Sequence, residues 1–258
     1  SEFCKKNNQP AIAVTDTSNM FGVLEFSIEM VSNGIQPIIG IQVNISGVTN
    51  LDNSIGEVVL IAKNEIGYKN LLVLTSKLSN NSEFYKFINY EDLKNYRDGI
   101  ILLTGGIENG FVGKPASLGN IKLVNERLGV LKELFKDNLY IELQRHGIKS
   151  QINAEKILLD ASENFDLPLV ATNDCFFENE NKFNAHQVLT CIDKGLTISS
   201  KNRRLLTKEH YLKDSKKMVS YLKIFLMQLK TLLLLLKDVP FLLKLTNQFF
   251  LNSLDLQK

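Results

Sequence analysis

Histidine is scarce in this sequence: His146, His186 and His210 are the whole complement. So few imidazoles fall short of the His-rich cluster that a hydrolytic centre with several metal ions requires. Cysteine is equally sparse. Cys4, Cys175 and Cys191 form no CxxC pair and have no disulfide-like spacing, so a reduced, cytoplasmic setting is expected. Charge of either sign is nearly balanced at a formal +2, and composition by itself advertises no basic nucleic-acid surface. The opening residues, SEFCKKNNQP, contain neither the apolar core of a secretion signal nor an initiating Met, and read as a truncated start. A long uncharged apolar run is also missing. A membrane span needs roughly 18 such residues, and Lys223, Lys230, Lys237 and Lys244 interrupt the Leu-rich C-terminal stretch. Their seven-residue interval sets the lysines along one side of a helix, a pattern compatible with an interfacial amphipathic helix.

What the sequence does contain is enough apolar material for a core, 44% of 258 residues, and a repeated strand-then-helix pattern. Residues 10–45 form the clearest unit. Ala11 to Val14 reads as a buried parallel strand running into the polar loop Asp16 to Asn19, where Asp16 is a candidate cap for the helix that follows. Phe21, Leu24, Ile28 and Val31 recur at helical spacing, Asn33-Gly34 stops the helix, and Ile38 to Val43 form a second buried strand. A right-handed crossover then brings both strand ends to one rim, so Asp16 and Gln42 are expected to be neighbours. Further strands are predicted at 57–62, 100–104, 140–143 and 169–172, with helices at 68–78, 90–96, 115–135 and 152–165. The Gly105-Gly106 pair after a strand reads as a turn with close backbone approach, ahead of a phosphate cradle. Polar residues follow most strand ends, as a (β/α) barrel requires.

Several phrases, in order, carry a resemblance: AIAVTDTSNMFG followed by GIQPIIGIQ, then AKNEIGYKNL, GIILLTGG, YIELQRHG, LPLVATND and the segment from Ala185-His186 to Gly195. Together they resemble the PHP (polymerase and histidinol phosphatase) domain at the N-terminus of the bacterial replicative DNA polymerase III alpha subunit. The resemblance implies an α/β fold, a PHP-type distorted (β/α)7 barrel. Here it would be incomplete at the N-terminus, lacking its first strand over a domain of 1–219, with a helical C-terminal tail at 220–258. It also implies a pocket built from Asp16, Thr17, Gln42, His146, Asn173, Asp174, Asn184 and His186. Members that work as phosphoesterases or nucleases hold divalent metals in that pocket. In this sequence Thr17 stands where such members have His, Gln42 where they have Glu, Phe176 where a His often follows Asn-Asp, and Asn184 where they have Asp. The family's first-strand His-x-His pair has no counterpart. Asn and Gln ligate hard cations weakly and Phe not at all. Asp16, His146 and His186 remain as candidate ligands, no bound metal is expected, and the bland alternative makes both histidines hydrogen-bonded parts of a polar pocket.

The implied function is that of an N-terminal fragment of the polymerase alpha subunit, in DNA replication. The fragment would serve as a structural scaffold without the palm-domain aspartates that synthesise DNA. Mg would belong to the parent polymerase. Partners would be the polymerase III core with its proofreading exonuclease subunit, and DNA through the parent protein, with no membrane. The alternatives are a metal-dependent PHP phosphoesterase or 3'-5' exonuclease, and a membrane-surface or partner-binding module that uses the Lys- and Leu-rich tail.

Tyr211 to Val219 still resembles the family, and the resemblance then stops. Joining the last base of each codon to the first two of the next permits Val219 to Thr231 to be re-read as E-L-F-K-N-I-P-D-A-I-E-N, which restores the family phrase. A frameshift near Val219 is therefore expected, testable on the coding nucleotides. It would leave Phe225, Leu232 to Leu236, Phe241 and Phe249-Phe250 without an evolved groove to fill. Low stability is expected as well, because a missing strand leaves backbone groups of its neighbours unpaired.

Overall fold

The apolar runs and helical stripes assemble around one curled sheet. A computed structural model describes residues 1–46, 55–80, 87–200 and 206–221. The strands are β1 (Ala11–Val14), β2 (Gln36–Ser46), β3 (Gly56–Ala62), β4 (Ile88–Asn89), β5 (Ile100–Leu103), β6 (Leu139–Leu143) and β7 (Leu169–Ala171). The helices are α1 (Glu2–Lys6), α2 (Val23–Ser32), α3 (Glu65–Asn80), α4 (Tyr90–Asn95), α5 (Gly113–Ser117), α6 (Ile121–Phe135), α7 (Lys149–Phe165), α8 (Phe183–Asp193) and α9 (Ser215–Tyr221). The sheet runs β1-β2-β3-β5-β6-β7, with β4 also paired to β2. It makes a half-barrel, the expected α/β architecture of an incomplete PHP barrel.

The β1–α2–β2 unit is parallel, with Ala11 to Val14 opposite Gln36 to Ile39. Its rim ends where predicted: Gln42 N–H donates to Asp16 C=O at 3.0 Å and Ser18 N–H to Gln42 C=O at 2.8 Å. Gly34, at φ +72°, turns the chain out of α2 in the conformation that glycine adopts without strain. The uniform strand–helix alternation is broken at β3. This strand pairs antiparallel with β2 and antiparallel with β5 as well. β5, β6 and β7 then run parallel through α6 and α7.

β1 differs from its reading as a buried strand. It ends the sheet, its Ala11, Ile12 and Val14 are half-buried and Ala13 is exposed. α2 differs more sharply: Val23, Ser27 and Met30 face the core, while Phe21 is 89% exposed and Ile28 and Val31 are exposed too. The predicted helix at 115–135 is two helices. Gly119 at φ +74° breaks the chain, and the Asn120 side chain accepts from Leu123 N–H to start α6. The main core joins α3, α6 and α7 to the sheet through Leu71, Leu74, Leu78, Val124, Leu128, Leu131, Ala154 and Leu158. Among the described residues no helix is long and apolar enough to cross a membrane. The tail's expected exposed apolar side chains lie outside the described residues, which end with α9 at Tyr221.

Candidate functional site

The ends of β1, β5, β6 and β7, together with Ile38 and Gln42 inside β2 and the inward side of the antiparallel β3, surround a cavity of about 660 Å³. Apolar residues such as Ile38, Ile61 and Val170 lie deeper, and polar side chains ring the mouth.

Glu142 on β6 is the most perturbed group in it. The strand's apolar run buries its carboxyl almost completely, and burial, with a smaller contribution from Asp174, pushes its pKa up to about 7. Thr172 Oγ1 donates to Oε1, Gln144 Nε2 donates to the same atom at 3.0 Å, and Gly105 N–H donates to Oε2 at 3.1 Å. These donors oppose the upward shift without cancelling it. The glycine pair is needed for this approach. Gly105 has φ +81°, and a Cβ there would stand 2.1 Å from Glu57 C=O, while one on Gly106 would stand 2.3 Å from Gln144 Oε1. The pair serves a buried carboxyl and brings its backbone close to neighbouring strands, consistent with the turn reading.

His146 sits in the turn between β6 and α7, which the bidentate Arg145–Glu155 pair holds at 2.6 and 2.8 Å. Gln151 Oε1 accepts from the backbone N–H of His146 and of Ile148, which turns its amide nitrogen toward His146 Nδ1 at 3.2 Å. That nitrogen is therefore an acceptor and the ring proton is on Nε2. His210 Nδ1 meets Thr207, whose backbone N–H and C=O each lie 3.2 Å from it. The two buried rings stack, centroids 3.9 Å apart and 15° from parallel. Sequence reasoning left His210 outside the motifs; the fold makes it a cavity residue.

The remaining predicted residues divide into two groups. Asp16, Thr17, Gln42, Asn173 and Asp174 line the cavity with His146. Asp16 and Thr17 are exposed, Gln42 Nε2 donates to Glu57 Oε1, and both ends of the Asn173 amide are engaged, Nδ2 by Tyr211 C=O at 2.7 Å and Oδ1 by Lys213 Nζ at 2.9 Å. Asn184 is exposed on α8 and His186 packs against Phe176 and Phe177, with centroids 5.7 and 5.5 Å away; neither lines the cavity. The Phe176 ring, which does line it, touches both His186 and His210. Asp16 does not cap α2 either: the N-cap is Gly22, and Asn19 organises the loop by accepting from Phe21 N–H and donating to Thr17 C=O. Reasoning from residues missed Glu57, Glu142, Gln144 and Thr172 along with His210. A glutamate inside the apolar strand phrase YIEL was the available signal for Glu142.

These residues do not fit the metal cluster that the family resemblance implies. Among the described residues, no group of three or more His, Cys, Asp or Glu side chains is gathered as a metal ion needs. Three of the side chains that face the cavity already accept from protein donors: Glu142 from Thr172, Gln144 and Gly105, Glu57 from Gln42, and Asn173 from Lys213.

Residues 1–146 match the model of the PHP domain. The chain belongs to the PHP domain family. DNA polymerase III subunit alpha of Rickettsia bellii is 34% identical to it over 220 residues, 84% of this chain and 18% of that protein. The same subunit of Haemophilus influenzae is 34% identical over 217 residues, 83% of this chain and 19% of that protein. The PHP chain thus spans just under a fifth of the length of the curated relatives it matches, and corresponds to their N-terminal region. A solved chain of Bifidobacterium adolescentis, described as a candidate metal-dependent phosphoesterase, covers 67% of this chain and 79% of its own, with a TM-score of 0.39 and 11% identity. That likeness is too slight to bear on function.

Proposed function

We propose that the chain works as a structural PHP domain of a replicative DNA polymerase III alpha subunit, without a metal-dependent reaction of its own. One observation carries this reading: three of the cavity's acceptors, Glu142, Glu57 and Asn173, are already paired to protein donors. Hydrolysis of a phosphoester needs an activated water and a polarised phosphate. Here the cavity carboxyl of Glu142 is buried and close to half-protonated at neutral pH, and the His146 and His210 rings stack on each other. In this reading DNA synthesis, its Mg requirement, contact with DNA and assembly with a proofreading exonuclease subunit in the polymerase III core belong to the larger protein, in the cytoplasm. The domain contributes a rigid platform to it.

Metal analysis of the purified chain after growth with Zn and Mn tests the proposal, together with hydrolysis of p-nitrophenyl phosphate in added Mn. Substoichiometric metal and no turnover are expected. Stoichiometric retention accompanied by turnover would reverse the reading in favour of a phosphoesterase.

A further inference from the structure

Residues 206–213 run from the His146 turn to the loop after β7, and their contacts tie together parts of the molecule distant in sequence. Thr207 Oγ1 donates to His146 C=O at 2.7 Å, and His210 stacks on the His146 ring. Phe176 N–H donates to His210 C=O at 3.0 Å, and Leu212 N–H to Phe177 C=O at 2.9 Å. At the far end Gln9, just before β1, donates from Nε2 to Lys213 C=O at 3.3 Å. This segment therefore links the β7 side of the half-barrel to the β1 side, the two ends of the open sheet.

Lys213 closes the set. Its side chain is 1% exposed, an unusual position for an ammonium group. Nζ donates to Asn173 Oδ1 at 2.9 Å and to Glu209 C=O, lies 3.7 Å from Glu209 Oε2, and stands 4.4 Å from the centre of the Tyr211 ring. Carbonyl oxygens, a carboxylate and an aromatic face are the surroundings a desolvated cation requires. Burial lowers the lysine's pKa and Glu209 opposes that shift.

We infer that the Lys213 ammonium is the built-in cation of this rim: it occupies the Asn173 oxygen and so pins residues 206–213 as a strap across the open side of the half-barrel. The inference deepens the scaffold reading, and rests on it only in giving the rim no metal ion to hold.

Hydrogen exchange at the Phe176 and Leu212 amides, measured with thermal unfolding of the purified chain, tests it. Lys213→Met keeps the stem and removes the charge; both amides should then exchange about tenfold to a hundredfold faster, with a lower Tm. Should that variant not fold, Glu209→Gln is the milder change, expected to speed the same amides by about threefold. Unchanged exchange at both amides in the variant measured overturns the inference. Metal retention by the unmutated chain speaks only to the scaffold reading, so the two ideas fail separately.

Discussion

Glu142 makes the sharpest demand on the protein at the scale of a single residue. Its folded carboxyl keeps its proton up to about pH 7, whereas a carboxyl in the unfolded chain releases it near 4.5. Between those values the folded state binds the extra proton, so stability falls as pH rises through the window and levels off above it. The loss from this group is on the order of 2 to 3 kcal/mol between pH 5 and pH 8. Glu142→Gln, neutral throughout, should lack that slope, and urea unfolding at several pH values compares the two proteins. Parallel profiles would mean that Glu142 is ionised across the range. At this scale the sequence revealed part of the site. Asp16, His146, Asn173 and Asp174 were readable because each follows a strand end in a recognisable phrase, and Gln42 because it sits within one such phrase. Glu142, Thr172 and His210 were not, because their importance comes from partners 30 or more residues away that only folding supplies.

At the scale of elements, α2 sets apart what periodicity can and cannot tell. Phe21, Leu24, Ile28 and Val31 have the right spacing for a buried stripe, but Val23, Ser27 and Met30 are the residues that pack inward. Met30 joins Cys4 and Ile35 in a small cluster with Ile12 and Phe26 against it. Met30→Ala should therefore cost about 2–5 kcal/mol, whereas Ile28→Ala should change stability by less than about 1 kcal/mol. Denaturant melts of the two variants check this, and equal losses would restore the stripe read from spacing. Both faces of α2 carry apolar residues, so the sequence fixes that a helix forms there without fixing its rotation. A similar ambiguity hid the break before α6, where Gly119 and Asn120 end one helix and cap the next inside a continuous apolar pattern.

For the molecule as a whole the open sheet decides behaviour. β1 is an edge, and Ala13 on it is exposed among apolar neighbours, a template for pairing with another chain. Ala13→Lys should suppress concentration-dependent light scattering while leaving the Tm nearly unchanged; undiminished scattering would place self-association elsewhere. The sequence by itself determined the main alternation of strands and helices, the PHP kinship and the weak or absent ligating power of the side chains at Thr17, Gln42 and Phe176, because these are properties of local pattern and residue chemistry. Only the tertiary structure decided that β3 runs antiparallel, that Glu142 is driven to hold a proton, and that Lys213 reaches Asn173 to strap the rim. Each of those depends on which distant groups come within a few ångströms and on how much water they exclude, quantities that spacing along a chain does not encode.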